Sequence, residues 1–416
     1  MAVKLPSAAR DKPTALPITV DLAWGRQFMA IDYYTVGGVI NGQYAYCARP
    51  GRISPDRGGG RARGQAGFAQ LPAAVILPRS GVPAGEAKGK QEHMYREEIK
   101  VLDCTIRDGG LINQYQFTDD FVKGCYRASC EAGVDIVELG KKLAVSDEYT
   151  RDKWGKWNFC DDDDIRRVVD SCDSEHRPEV AVMFDVGRVD LDALVPADQS
   201  PVDMIRTACY VADIDKGIDL VRRTKDLGYG TTINIMACSA AIERDLIEAL
   251  GQVNESPEVD YLYLVDSYGA FYSEQVSAYL AMYREHAPDK PLGFHAHNNQ
   301  QLAFSNTQQA IIEGVNLLDA TINGIGRGAG NCNLELLLNF LKNPKFDVRP
   351  VYRAIQEQLV PLREEIEWGF NDIYGISGHL NQHPREAMRV RGDNGVRDLC
   401  YDFFLEQSGE GDSALD

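Results

Sequence analysis

A chain of 416 residues, 44% apolar and 25% charged, has the composition of a core-forming globular protein rather than a disordered or fibrous one. A formal net charge of −18 argues against general binding to nucleic acid or to an anionic membrane. Ten scattered cysteines without a CxxC pair exclude a zinc knuckle and offer no disulfide framework, so reduced thiols in a cytoplasm fit best. No run of 18 apolar residues offers a membrane span, and the first residues lack the apolar core and cleavage site of a signal peptide.

In chain order the sequence falls into three regions. Residues 1–96 carry 13 Lys/Arg against 6 Asp/Glu, so the acidity lies further on. Strand-like pieces occur at 28–31 and 38–40, but residues 48–90 are rich in Gly, Arg, Pro and Ala with little periodicity. This region is expected to be an N-terminal extension, disordered or weakly ordered. A basic arm contacting an acidic partner or RNA is the sharper alternative.

Residues 97–342 change character. Short apolar runs at 99–104, 135–139, 180–185, 204–210, 232–236, 261–266, 292–297 and 318–323 read as strands. Amphipathic stretches at 119–131, 162–171, 214–226, 241–253, 273–284 and 301–313 lie between them. Strand–helix alternation implies a parallel sheet, and eight units of this size predict an α/β fold of the (β/α)8 TIM-barrel type. An open doubly wound sheet would more often carry a GxGxxG turn after its first strand, which this sequence lacks. Residues 343–416, with a helical pattern at 351–367, are too few for a second core. They predict a helical appendage ending in an acidic tail.

The barrel makes a demand: reactive residues should sit at the C-terminal ends of strands. Arg107 and Asp108 follow the first run, Glu138 ends the second and Asp185 the third. Asp266 and Ser267 end the sixth, His295 and His297 the seventh, and residues 323–331 follow the eighth. Residues i and i+2 of a strand share a face, so His295 and His297 can hold one metal ion from one side. One carboxylate, two imidazoles and a nearby guanidinium suit a divalent ion that binds an oxygen-rich anion. The plainer reading is a pair of partly exposed strand histidines.

The motifs LDCTIRDGG, VDIVELG, YLVDSYGA, GFHAHNNQQLAFSN and LLDATINGIGRGAGNCNLE, in this order, resemble the HMG-CoA-lyase-like metal-dependent aldolases and their Claisen-condensing relatives. Within that superfamily the chain is most similar to the 4-hydroxy-2-oxovalerate aldolases, over roughly residues 99–341. The resemblance implies Mn2+ or Mg2+ held by Asp108, His295 and His297, with Arg107 steadying an enolate oxygen. It implies a lyase that cleaves, or forms, a 4-hydroxy-2-oxo acid, giving pyruvate and an aldehyde through a metal-stabilised enolate. The implied partners are the small-molecule 2-oxo acid and aldehyde, a second copy of the chain in a homo-oligomer, and an aldehyde dehydrogenase. An acyl-CoA-dependent synthase of the isopropylmalate or citramalate kind is the alternative that NGIGRGAGN favours. A non-catalytic or partner-dependent barrel is the other.

Individual residues keep two readings each. Asp108 is a metal ligand or a helix N-cap; Arg107 holds the enolate or makes a surface ion pair. Asn331 is a fourth ligand or supports its glycine-rich turn. Asp266 and Ser267 orient ligands and substrate or close a strand. Glu138 supports Arg107 or caps a helix. Gly328, within GIGRGAG, helps bring backbone donors to a carboxylate or makes a tight turn. One departure stands out: those aldolases place a basic histidine three residues after the metal-binding aspartate, and Leu111 occupies that position. The base is then expected to be Tyr115, His379 or a metal-bound water, with His383 in the same appendage.

Overall fold

The chain divides between Ala87 and Lys88 into two units, and the computed structural model describes residues 18–24, 27–40, 43–50, 96–191 and 194–409. In the first unit, β1 (Ile18–Trp24), β2 (Gln27–Ile40) and β3 (Gln43–Pro50) form an antiparallel sheet in that order. Val20 pairs with Ile31 and Val39 with Tyr44. β2 is dense in β-branched and aromatic residues, the types that suit a pleated surface. The expected extension thus contains a three-stranded sheet where the sequence reading saw strand-like pieces. The disorder expected of residues 48–90 lies outside the described residues, apart from the three that end β3.

The second unit is a closed barrel of eight parallel strands: β4 (Lys100–Asp103), β5 (Ile136–Lys141), β6 (Glu179–Asp185), β7 (Met204–Tyr210), β8 (Gly230–Met236), β9 (Tyr261–Asp266), β10 (Leu292–Ala296) and β11 (Leu317–Ala320). They close in the order β10-β11-β4-β5-β6-β7-β8-β9. Local chemistry sets where the helices between them start and stop. The helix Asp119–Ala132 is capped by Thr118, whose side-chain oxygen accepts from the Phe121 N–H at 3.2 Å, and it ends at left-handed Gly133 (φ 76°). A Cβ at Gly133 would lie 2.2 Å from the Lys345 carbonyl oxygen, so the close approach as well as the φ requires glycine.

Two-residue periodicity sorts every strand. Val137, Ile205, Leu264, Phe294 and Leu318 point outward into the large core shared with the helices. Ile136, Met204, Tyr263 and Leu317 point inward with Leu102 and fill the barrel floor. The next inward positions toward the C-terminal end are Glu138, Arg206, Val265, His295 and Asp319, so an apolar floor carries a charged layer. Gly293 is the inward residue opposite Tyr263; a Cβ there would come within 2.6 Å of the Tyr263 ring.

The last strand is shorter than the predicted 318–323. Thr321 leaves the barrel to pair with the segment around Asn333, and Ile322–Gly324 forms a 3-10 turn with Asn323 at φ 57°. The predicted helix at 351–367 is a run over 349–362 containing a π turn at Ile355–Leu359, just before Pro361 removes a backbone donor. The helices Asp372–His379, Arg385–Gly392 and Cys400–Ser408 follow. They bury Ile373, Tyr374, Ala387, Val390 and Phe403 against Ala329 of the loop after β11. The appendage therefore sits on the barrel mouth. Among the described residues, no helix is long and apolar enough to cross a membrane.

Candidate metal centre and active site

The loop after β4 begins with a built turn. The Asp103 side chain accepts from the Thr105 N–H at 2.9 Å and from the Ser129 hydroxyl at 2.6 Å, and the Thr105 hydroxyl oxygen accepts from the Ile322 N–H at 2.8 Å. This ties the first and eighth loops together and starts the short helix Thr105–Gly109, which carries Arg107 and Asp108. Asp108 is no N-cap: its side chain lies fully buried, with Oδ2 3.4 Å from His295 Nε2 and 3.9 Å from His297 Nε2. The donor atoms of Asp108, His295 and His297 all lie within 4.8 Å of one another.

Both imidazoles are oriented from behind. His295 Nδ1 lies 2.9 Å from Asp319 Oδ2, and His297 Nδ1 lies 3.3 Å from the Gly330 carbonyl oxygen. Each partner is an acceptor for an Nδ1 proton, which turns Nε2 of each ring toward Asp108. Burial disfavours the His295 imidazolium, but the Asp108 and Asp319 carboxylates outweigh it and hold the ring above the ordinary histidine value, so a metal would displace its Nε2 proton. Burial, aided by Arg327, His295 and Arg107, pushes His297 well below the usual histidine range, which leaves it neutral as a ligand must be. Burial disfavours the Asp108 carboxylate, but Arg107 and the two histidines outweigh it and hold the group well below its ordinary value.

A ring of buried charges runs behind these ligands. Arg107 donates through Nη1 to Asp108 Oδ2 at 2.8 Å and through Nε to Glu138 Oε2 at 2.6 Å. Arg206 donates to the same Glu138 oxygen at 2.7 Å and to Asp319 Oδ2 at 2.6 Å, with its guanidinium 4.4 Å from the centre of the Tyr263 ring. Asp319 leads back to His295 and so to Asp108. Three carboxylates in this ring face two guanidiniums and the His295 imidazole, whose proton Asp108 and Asp319 favour, so a divalent cation at Nε2 would take the place of that proton.

Asn331 strengthens the fit to a metal. Its Nδ2 donates to the Ile325 carbonyl at 2.9 Å, while its buried Oδ1 has no partner. The residue pairs with His297 in a one-residue antiparallel bridge. A Cβ at Gly326 would lie 2.1 Å from Asn331 Nδ2 and 3.1 Å from Asp108 Oδ1, so glycine is required there. Carboxylate and two imidazoles form a donor set suited to a divalent cation, and the unpartnered Asn331 amide oxygen lies in the adjoining loop. Cys104 also lies near His295 and Asp319. Burial pushes its thiol well up and it donates to the Ala320 carbonyl, so it remains a protonated thiol and not a ligand.

The ligands open onto a cavity of about 380 Å³ also lined by Arg107, Leu111, Tyr115, Ser267, Arg327 and His383. Glu138 meets Arg107, as one sequence reading expected. Tyr115 reaches the cavity, but its hydroxyl is buried without a partner and burial pushes it well above the ordinary tyrosine value. Ser267 accepts from the Ala237 N–H at 2.8 Å, and its carbonyl accepts from Arg327 Nη2 at 2.7 Å.

Three expected residues take other positions. His379, named as a candidate base, ends its helix exposed and is not among the cavity-lining residues, because that helix packs Ile373, Tyr374 and Ser377 inward. The chain reverses after left-handed Asn381 (φ 50°) and brings His383 to the cavity instead. Asp266, expected to contact substrate, accepts from the Ala270 and Phe271 N–H groups at 2.9 and 3.2 Å, and burial pushes it up to about 7. It builds its loop, and its carbonyl receives the His297 N–H at 3.2 Å. Gly328 adopts φ 59° beside the Tyr374 ring, and its carbonyl accepts from Gly369, joining the loop to the appendage rather than to a ligand. Sequence reasoning missed Arg206, Asp319 and Arg327. For the first two a signal existed: a charge inside the apolar runs MIRTACY and LLDA must find a buried partner.

Comparison with known proteins gives these features a context. Residues 98–357 match the HMGL-like family. The chain is 29% identical over 310 residues to an oxaloacetate decarboxylase of Mycobacterium tuberculosis, covering 72% of this chain and 88% of that protein. It is 27% identical over 333 residues to a 4-hydroxy-2-oxovalerate aldolase of Bacillus cereus, covering 76% and 94%. Among solved structures, the N-terminal domain of a candidate aldolase from Bacteroides vulgatus superposes with a TM-score of 0.60 at 29% identity, over 72% of this chain and 98% of that one. The hydroxymethylglutaryl-CoA lyase of Pseudomonas aeruginosa shares the fold, with a TM-score of 0.52 at 14% identity over 65% and 94%.

Proposed function

Because the chain belongs to the HMGL-like family, we propose that it is a divalent-metal-dependent carbon–carbon lyase that releases pyruvate from a 2-oxo acid. The observation that carries this reading is the set Asp108, His295 and His297, each imidazole turned by a partner at Nδ1 so that its Nε2 faces the Asp108 carboxylate. Asn331 Oδ1 is the candidate fourth donor. Mn2+ or Mg2+ suits this oxygen-and-imidazole set, and when bound it supplies Lewis acidity toward the carboxylate and keto oxygens of a 2-oxo acid.

The protein's own groups have distinct tasks. Cleaving the bond between C3 and C4 sends an electron pair toward the keto oxygen. Arg107 is held by Glu138 through Nε and by Asp108 through Nη1, which leaves Nη2 to donate where that charge collects. Leu111 presents an apolar side chain where a proton acceptor was expected. Tyr115, with its proton held by burial, suits hydrogen-bond donation to a bound substrate rather than transfer of that proton.

A 4-hydroxy-2-oxo acid, split into pyruvate and an aldehyde, is the first substrate class proposed. A specific observation favours a second, the decarboxylation of a 2-oxo acid bearing a carboxylate on C3. There carbon dioxide departs without any proton being removed, so a leucine at position 111 is no obstacle, and C3 takes its proton from water once the bond is broken. The deciding experiment is exchange of the pyruvate methyl protons in D2O with metal-stripped protein, with and without Mn2+. Exchange that requires Mn2+ supports the lyase reading; its absence with Mn2+ present sinks it. Release of carbon dioxide from oxaloacetate, against consumption of an aldehyde with pyruvate, then separates the two substrate classes.

A further inference from the structure

On a protein of net charge −18 the cavity is lined by Arg107, Lys141, Arg188, Arg327 and Arg385 against Asp108, Asp185 and Asp213. Most of these charges are matched. Arg107 has Asp108 and Glu138, while Lys141 and Arg188 share Asp185 at 2.7 and 3.7 Å. Arg327 differs. No carboxylate lies within ion-pair distance of its guanidinium among the described residues. Its Nη2 donates to the Ser267 carbonyl at 2.7 Å, its backbone N–H reaches Asp108 Oδ1 at 3.4 Å, and its Nε is buried with no partner. A half-buried guanidinium with a buried, unspent Nε–H is costly to hold unless an acceptor completes it.

A second donor lines the same cavity. His383 Nδ1 accepts from the Arg385 backbone N–H at 3.1 Å, which leaves the proton of the neutral ring on Nε2. Its ring stands edge-on to Tyr268 at 5.7 Å between centres, and the Arg327 charge acts on it. Burial, with Arg327 and Arg385, lowers His383 to about 4, so at neutral pH the ring is a donor and not a competing cation. The first carboxylate of a 2-oxo acid belongs at the metal ligands. Arg327 and His383 are therefore free to hold something else.

We propose that Arg327, with the Nε2–H of His383, seats a second carboxylate, so that the substrate is a 2-oxo dicarboxylate rather than a 2-oxo acid with an uncharged tail. This deepens the lyase reading and rests on it for the seat of the first carboxylate. It applies to a 4-hydroxy-2-oxo diacid and to a 3-carboxylated 2-oxo acid alike. The few donors at this seat match the two oxygens of a carboxylate better than the three of a phosphate monoester. A cavity of about 380 Å³ also suits a small diacid.

The test is calorimetric titration of the Mn2+-loaded full chain with 2-oxoglutarate and with 2-oxopentanoate, which match in length and differ in the terminal carboxylate. Competition between oxaloacetate and 2-oxobutanoate repeats the comparison one carbon shorter. The wild type should prefer the diacid by about 10-fold or more in at least one pair. Arg327→Met should bring that ratio close to one, and Arg327→Lys should keep part of it. A wild-type ratio near one in both pairs, or an undiminished ratio in Arg327→Met, overturns the proposal. Pyruvate proton exchange on the same wild-type sample judges the lyase reading separately. Diacid preference without exchange leaves the anion seat standing and removes the lyase; exchange without preference does the reverse.

Discussion

Two ionic networks in this protein use the same side-chain types in opposite surroundings. Inside the barrel, Arg107, Glu138, Arg206, Asp319, His295 and Asp108 close a buried ring. On the appendage, Glu367 gathers Arg391 and Arg397, and Arg391 also reaches Asp398 at 2.7 Å; Glu367 and Asp398 are largely exposed. Water reaches Glu367 and Asp398 and screens their pairs, although the Arg391 side chain itself is only 12% exposed, so each pair is worth less than one in the ring. Nothing replaces a member of the first. Removing one group there strands its partner in a low dielectric, which is why the ring can hold Asp108 and His295 in place for a metal.

The sharpest way to break this contrast is at the ring's functional edge. Asp108→Asn should lower Mn2+-dependent pyruvate proton exchange by about 10³-fold or more, with the circular dichroism spectrum kept. Near-wild-type exchange would end the ligand assignment. Arg206→Met leaves Glu138 and Asp319 without their shared cation and should cost about 3–5 kcal/mol in urea unfolding. A cost below about 1 kcal/mol would put the ring on a par with the surface network. Arg107→Ala should slow exchange by about 10²-fold while weakening Mn2+ binding less; equal losses in both would make Arg107 a structural residue only.

The appendage should respond weakly. His383 ordinarily titrates near 6.5 and is lowered to about 4 by burial and by Arg327 and Arg385. The unfolded chain therefore binds the proton first. Stability from this group is fully present above about pH 6.5 and is lost as pH falls through about 4. His383→Gln should flatten that part of the stability–pH curve, and an unchanged slope would place the ring in water. Smallest of all, Glu367→Gln should change stability by less than about 1 kcal/mol, and 1 M salt should erase the difference. A larger, salt-resistant loss would mean that the two networks do not differ as their burial implies.

Much of this could be read before any coordinates. The strands 204–210 and 261–266 and the helix 214–226 stand where the apolar runs put them, because a half-buried strand and a helix each leave a period in the sequence. Misses occurred where distant segments compete. Thr321 leaves the eighth strand because Cys332 and Leu334 offer it backbone partners. His379 and His383 are four residues apart, and only the reversal after Asn381 decides which one meets the cavity.

The sequence by itself determined the eight-unit barrel, the same-face histidines and the family, since these depend on local periodicity and on contiguous motifs. Tertiary structure alone decided that Arg206 and Asp319 complete a ring, that Leu111 and Tyr115 line the cavity with the ligands, and that Arg327 meets no carboxylate among the described residues. Those facts concern which charges are left matched once β5, β7, β10 and β11 are brought side by side. Pairing between groups dozens of residues apart leaves no period in a chain; closure of the barrel creates it.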